Sequence, residues 1–193
     1  CAISANGVNQ IATRRNGQIY MSYDSGNTWT DSDINLPSLA WWSGVDMDEL
    51  GITYAATVDT GPIFQSTNSG MGWSKTLNNV NWSSTAMSSD GTKQTAITNP
   101  GNIYVSLDSG HTWNSKDSSR KWKAIAVSSD AVKQTAIVYN GHIYISDDSG
   151  NTWNSKSSTK NWQSVAMSAD GVKQTAVINT GQIYISSDSG NTW

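Results

Sequence analysis

The sequence predicts an all-β chain made of small antiparallel sheets in tandem, and three observations carry the prediction. The octapeptide Ser-x-Asp-Ser-Gly-x-Thr-Trp recurs at 22–29, 106–113, 146–153 and 186–193, with a degraded copy at 66–73 in which Asn68 replaces the aspartate and Gly72 the threonine. Trp73, Trp113, Trp153 and Trp193 stand forty residues apart, and Trp29 precedes Trp73 by forty-four, so one supersecondary unit is copied along the chain. Each octapeptide follows a short alternating segment such as Ile143-Tyr144-Ile145, the period of a half-buried strand.

The fourth unit shows the plan. Residues 122–127 alternate as a first strand and 128–131 turn the chain. A second strand is expected at 134–139, Asn140-Gly141 is a hairpin signal, and 143–146 forms a third strand. The octapeptide turn then leads to a short fourth strand at 152–156, and 157–161 connects to the next unit. Four short antiparallel strands per unit is the content of a β-propeller blade, and a sheet that small buries both faces only by stacking with neighbours around a ring. The predicted fold is therefore a β-propeller of five four-stranded blades, at 1–38, 39–79, 80–119, 120–159 and 160–193. Aligning Gly17 with Gly181 sets Cys1 on Val165 inside a strand, and the last unit stops where others continue, so the chain reads as a portion of a longer polypeptide. Trp42, Trp82, Trp122 and Trp162 open the first strands and are expected in the packed interior, leaving Trp41 as the one tryptophan outside the repeat.

The octapeptide reads first as a staple for the hairpin that follows the third strand. Its residues are Ser22, Asp24, Gly26 and Trp29; Ser66, Asn68, Gly70 and Trp73; Ser106, Asp108, Gly110 and Trp113; Ser146, Asp148, Gly150 and Trp153; Ser186, Asp188, Gly190 and Trp193. The carboxylate is expected to accept backbone N–H groups two or three residues on, the glycine to supply a positive φ, and the indole to return to the core. The motif resembles the Asp-box, or BNR repeat, of the propellers of sialidases, sortilin-type receptors, xyloglucan-degrading glycosidases and a photosystem II assembly factor. The stretch 88–96 also resembles uncharacterised Asp-box repeats of aquatic microbes and large DNA viruses. The resemblance implies a propeller in which the box is structural and lies on the face away from the usual ligand site; it implies no activity.

Composition narrows the function classes. A net charge of −3 with 14% charged residues provides no basic face for nucleic acid, and no apolar run approaches a membrane span. A surface of Ser, Thr, Asn and Gly suits an extracellular, cell-surface or virion-associated protein. The single cysteine allows no intrachain disulfide. His111 and His142 have no acidic or thiol partner at ligand spacing, so neither metal nor cofactor is expected.

Sites are sought where the copies disagree. At the end of the second strand Arg14 replaces the Val58, Thr98, Val138 and Ile178 of later units, and the next position reads Arg15, Asp59, Asn99, Tyr139 and Asn179. With Trp41 from the longer 30–40 connection, Arg14, Arg15, Asp59 and Tyr139 are candidates for one ligand rim; alternatively Arg14 and Asp59 form a surface ion pair. Asp46 stands where other units have alanine and is expected to face the channel. No catalytic set is expected: three arginines, two of them adjacent, and one glutamate, Glu49, do not compose a sialidase centre or a glycosidase carboxylate pair. The function expected is a structural and interaction module binding other protein chains or further parts of its own; a glycan-binding propeller and part of a glycoside hydrolase are the alternatives.

Overall fold

The computed structural model describes residues 1–32, 36–77 and 80–193. The described residues are all-β: nineteen strands in five antiparallel sheets, each laid down in sequence order. The first sheet holds β1 (Ala2–Ile3), β2 (Gln10–Thr13), β3 (Ile19–Ser22) and β4 (Thr30–Asp31), and the second β5 (Trp42–Met47), β6 (Tyr54–Val58), β7 (Ile63–Ser66) and β8 (Ser74–Lys75). The third holds β9 (Trp82–Met87), β10 (Gln94–Thr98), β11 (Gly101–Ser106) and β12 (Asn114–Arg120). The fourth holds β13 (Trp122–Val127), β14 (Gln134–Val138), β15 (Ile143–Ser146) and β16 (Asn154–Ser155), and the fifth β17 (Trp162–Met167), β18 (Gln174–Ile178) and β19 (Ile183–Ser186).

The first strands β1, β5, β9, β13 and β17 meet one another in that order, which puts them innermost and the sheets side by side as propeller blades. Two expectations are corrected. The fifth sheet has three strands rather than four, and the outer strand of the fourth unit is two residues long because only 154–155 pair with β15. β12 departs the other way: it runs seven residues and pairs back to Gly101 through an irregular register. Residues 33–35 of the 30–40 connection, and 78–79, lie outside the described residues.

Alternation sorts each sheet into two apolar faces, and neighbouring sheets press unlike faces together. Ile97, Ile103 and Val105 of the third sheet pack against Trp122, Ile125 and Ala136 of the fourth, and Ile143 and Ile145 of the fourth pack against Trp162 and Val165 of the fifth. The inner tryptophans Trp42, Trp82, Trp122 and Trp162 are 0–6% exposed, as the repeat predicts. A glutamine opening the second strand adds a polar lock. Thr95 donates to Gln134 Oε1 at 2.9 Å, Thr135 donates to Gln174 Oε1 at 2.8 Å, and Gln65 donates to Gln94 Oε1. These buried amides are satisfied across the joint between sheets, so they favour one packing over sliding alternatives.

A second device ties the loops between first and second strands into a belt. Ala5 N–H donates to Glu49 C=O, Glu49 N–H to Ser89 C=O, Ser89 N–H to Ser129 C=O and Ser129 N–H to Ala169 C=O, all at 2.7–2.9 Å. Each bond joins one sheet to the next.

Candidate functional site

The octapeptide turns build one pattern. In the third unit Ser106 Oγ accepts the Gly110 N–H at 2.8 Å and donates to Asp108 Oδ1 at 2.8 Å. Asp108 then accepts both the N–H and the hydroxyl of Thr112, at 2.8 and 2.6 Å. Trp113 Nε1 donates back to Gly110 C=O at 2.9 Å. The set repeats around Asp24, Asp148 and Asp188. The carboxylate thus reaches four residues on rather than two or three, because the serine hydroxyl takes the nearer turn N–H. The Thr112 hydroxyl, with the Thr112 N–H and Ser106, lowers the Asp108 pKa to about 2, and the equivalent bonds from Thr192 and Ser186 do the same for Asp188. Carboxylates consumed in this way, one in each sheet but the second, where Asn68 stands, converge on no shared centre.

The indoles differ from expectation. Trp73 is buried, 7% exposed, and donates to Ser32 Oγ of the first sheet at 2.8 Å; Trp29 is 42% exposed, and Trp113, Trp153 and Trp193 are half-buried. Only the degraded second copy, which lacks the threonine, sends its ring fully inside.

At the opposite ends of the strands a rim is built from two backbone positions per sheet. The residue after the second strand donates its N–H to the carbonyl of the residue before the first: Asp59 to Trp41, Asn99 to Asn81, Tyr139 to Lys121 and Asn179 to Asn161, at 2.7–2.9 Å. These bonds fix the backbone and leave the side chains free to vary. Arg15 reaches across from the first sheet and lays its guanidinium over the Trp41 ring, 4.5 Å from the centroid. Arg15, Trp41 and Asp59 are therefore gathered at the joint of the first two sheets. Tyr139, 39% exposed, stands two sheets further on beside Lys121.

Arg14 makes neither the ring contact of Arg15 nor an ion pair with Asp59. Both arginines fall after β2, in the turn, and the stem of Arg14 lies over Gly17, where an added Cβ would come within 3.0 Å of its Cδ. The Arg14–Asp59 ion pair does not form; among the described residues the one ion pair is Asp117–Arg120, at 2.5 Å. Lys121 was missed by sequence reasoning, although the position before each opening tryptophan reads Trp41, Asn81, Lys121 and Asn161 and so signals variation.

Asp46 lines a cavity along the inner strands with Thr85, Met87 and Ile125. Its Oδ2 accepts the Met87 N–H at 2.8 Å, bridging the second and third sheets. Burial between the inner strands raises its pKa to about 6, against the lowering effect of that hydrogen bond. Among the described residues no three His, Cys, Asp or Glu side chains are grouped to hold a metal ion, and no helix is long and apolar enough to cross a membrane.

No protein-family model matches the chain, and no curated protein matches it by sequence. Solved structures do. "YCF48 bound to D1 peptide" superposes with a TM-score of 0.74 at 16% identity, over 98% of this chain and 65% of that one. The GH74 enzyme of Niastella koreensis matches at 0.74 and 19% identity, over 100% of this chain and 30% of that one. The GH74 xyloglucanase of Xanthomonas campestris matches at 0.73 and 14%, over 100% and 37%. The chain thus spans less than two thirds of each of these, and at such identities the likeness shows the fold alone.

Proposed function

We propose that the chain is a non-enzymatic interaction module of the Asp-box type, displayed outside the cell or on a virion, whose rim binds a peptide segment of a partner protein. The observation that carries this reading is the Arg15–Trp41 stack beside Asp59, on a scaffold whose third, fourth and fifth units are near-copies in sequence. A cation held over an indole, an adjacent carboxylate, and Lys121 with Tyr139 further along the arc offer charge and aromatic surface to an extended ligand. The structural likeness to a propeller bound to a peptide supports the same class of ligand.

The test is selection of peptides from a random display library on the immobilised chain. Selected peptides should lose at least tenfold in affinity on Arg15→Ala or Trp41→Ala while Tm stays within a degree or two. Peptides indifferent to both substitutions would refute the rim. The likeness to GH74 enzymes favours a second reading, part of a glycoside hydrolase, which measurable turnover of xyloglucan by the same preparation would establish instead.

A further inference from the structure

The face opposite the rim carries an apolar patch where the first two sheets meet. Tyr23, Leu50, Ile52 and Met71 are all exposed there, Leu50 by 64% and Met71 by 68%. They are contiguous. The Tyr23 hydroxyl donates to Ser69 C=O at 2.8 Å and the Ser69 N–H donates to Ile52 C=O at 2.9 Å, which draws together the octapeptide turns of the first and second sheets and the loop between β5 and β6. A depression of about 340 Å³ is lined from both turns by Tyr23, Ser69 and Met71.

The fold does not require these side chains to be apolar. In the third, fourth and fifth units the place of Leu50 is taken by Asp90, Asp130 and Asp170, and each carboxylate accepts the N–H two residues on at 2.9–3.0 Å. In the second unit Asp48 keeps that bond instead: its buried carboxylate accepts the Ile52 N–H at 2.7 Å, and the outward position is released to leucine. The place of Met71 is held elsewhere by Asn27, Asn151 and Asn191, whose amides donate to the aspartate carbonyl of their own turns at 2.6–2.8 Å. Methionine gives that bond up and projects into solvent. A contiguous apolar patch that packing does not use marks an interaction surface.

Charge sets the same place apart. Before Lys75 the only Lys or Arg residues are Arg14 and Arg15, both in the turn after β2 at the rim. The third and fourth units put a lysine on the patch face, where Lys93 Nζ donates to Asp130 C=O at 2.9 Å and Lys133 Nζ to Ser189 Oγ at 3.0 Å; the corresponding residues of the first two units are Asn9 and Thr53. Asp24, Asp48 and Glu49 therefore adjoin the apolar side chains, and none of the three is in an ion pair among the described residues.

We infer that this patch is the docking surface for a basic segment of a partner protein, which sets an apolar side chain between Tyr23 and Met71 and lysines or arginines against Glu49 and Asp24. An anchor in an apolar depression supplies affinity, and opposite charge around it supplies orientation. The same acids repel an anionic lipid surface. The patch lies on the other face from Arg15 and Trp41 and does not rest on the rim reading.

The experiment titrates the full chain, by calorimetry, with a short amphipathic peptide of leucine and lysine, beside leucine–glutamate and alanine–lysine peptides of the same pattern. The leucine–lysine peptide should bind saturably and the others at least tenfold more weakly, one lacking the charge and the other the anchor. Leu50→Asn with Met71→Asn, matching Asn6 and Asn27 of the first unit, should weaken it at least tenfold with Tm within a degree or two, because the repeat already accommodates both. Glu49→Ser, matching Ser89 and Ser129, should reduce the salt dependence of binding. Arg15→Ala should leave the titration as it was. The inference falls if the leucine–lysine peptide gives no saturable heat, if the double variant binds it as the parent does, or if the leucine–glutamate peptide binds as well. It falls equally if the chain sediments with phosphatidylserine vesicles, or associates with itself, in a way the double variant abolishes, which would make the occupant a membrane or a second copy.

Discussion

Asp108 takes three hydrogen bonds on one exposed carboxylate, and that arrangement has a pH signature. Its folded-state pKa, about 2, lies below the ordinary 3.8, so its contribution is present above pH 3.8 and is lost as pH falls through about 2. Asp108→Asn should lower Tm at neutral pH by about 2–4 °C, the scale of one lost capping contact in a chain of this size. The difference from the parent should vanish below pH 2 in melts followed by circular dichroism. Asn68 already stands in the corresponding place of the second unit, so the fold accommodates the amide. The staple was legible in the sequence because Ser, Asp, Gly and Thr recur at fixed offsets. The depth of the tryptophan was not, since it depends on neighbouring groups such as Ser32, which Trp73 meets from forty-one residues away.

Strands meet across joints whose tolerance the turn glycines set. Gly150 has φ +81°, and a Cβ there would stand 2.8 Å from Val105 Cγ2 of the preceding sheet. Gly150→Ala should therefore cost about 1–3 kcal/mol from backbone strain and overpacking together, measured by urea unfolding. At the joint of β5 and β9 the sign of the pH effect is opposite to that of Asp108. Asp46 has its pKa raised to about 6 by burial, so its folded form is favoured below the ordinary 3.8 and stability declines as pH rises through about 6. Asp46→Asn keeps an oxygen for the Met87 N–H without the charge, so at pH 8 it should be about 1–3 kcal/mol more stable than the parent, with no difference at pH 3.5. Inner and middle strands were legible from alternation: the expected 122–127 and 143–146 match β13 and β15. Outer strands were not, because polar runs such as Asn-Ser-Lys carry no period and their pairing length is decided by the adjacent edge. The threonine–glutamine locks went unread although Lys-Gln-Thr-Ala recurs three times, since a polar pair across a joint leaves no periodic signal.

Over the whole molecule, the belt of loop hydrogen bonds and the stacked faces run from the first sheet to the fifth, and the exposure of the fifth departs from the rest. Ile183 and Ile185 are 67% and 68% exposed, whereas Ile143 and Ile145, their counterparts one unit earlier, are 0% and 2% exposed under Trp162 and its neighbours. Thr175 is likewise exposed, while its counterpart Thr135 is buried and bonded to Gln174. Repeat architectures gain stability from each interface between neighbours, so a sheet covered on one side holds less of it than one covered on both. Hydrogen exchange should accordingly show β18 and β19 opening at lower free energy than β14 and β15. Replacing Ile183 by Lys and Ile185 by Glu in this chain should leave Tm unchanged, because both side chains are exposed. The same pair of changes in the fourth sheet, Ile143→Lys with Ile145→Glu, should unfold the chain, because there the charges would be buried against Trp162 and Val165 without partners. A thermal melt in which the two double variants behaved alike would mean that the fifth sheet's outer face is covered in solution.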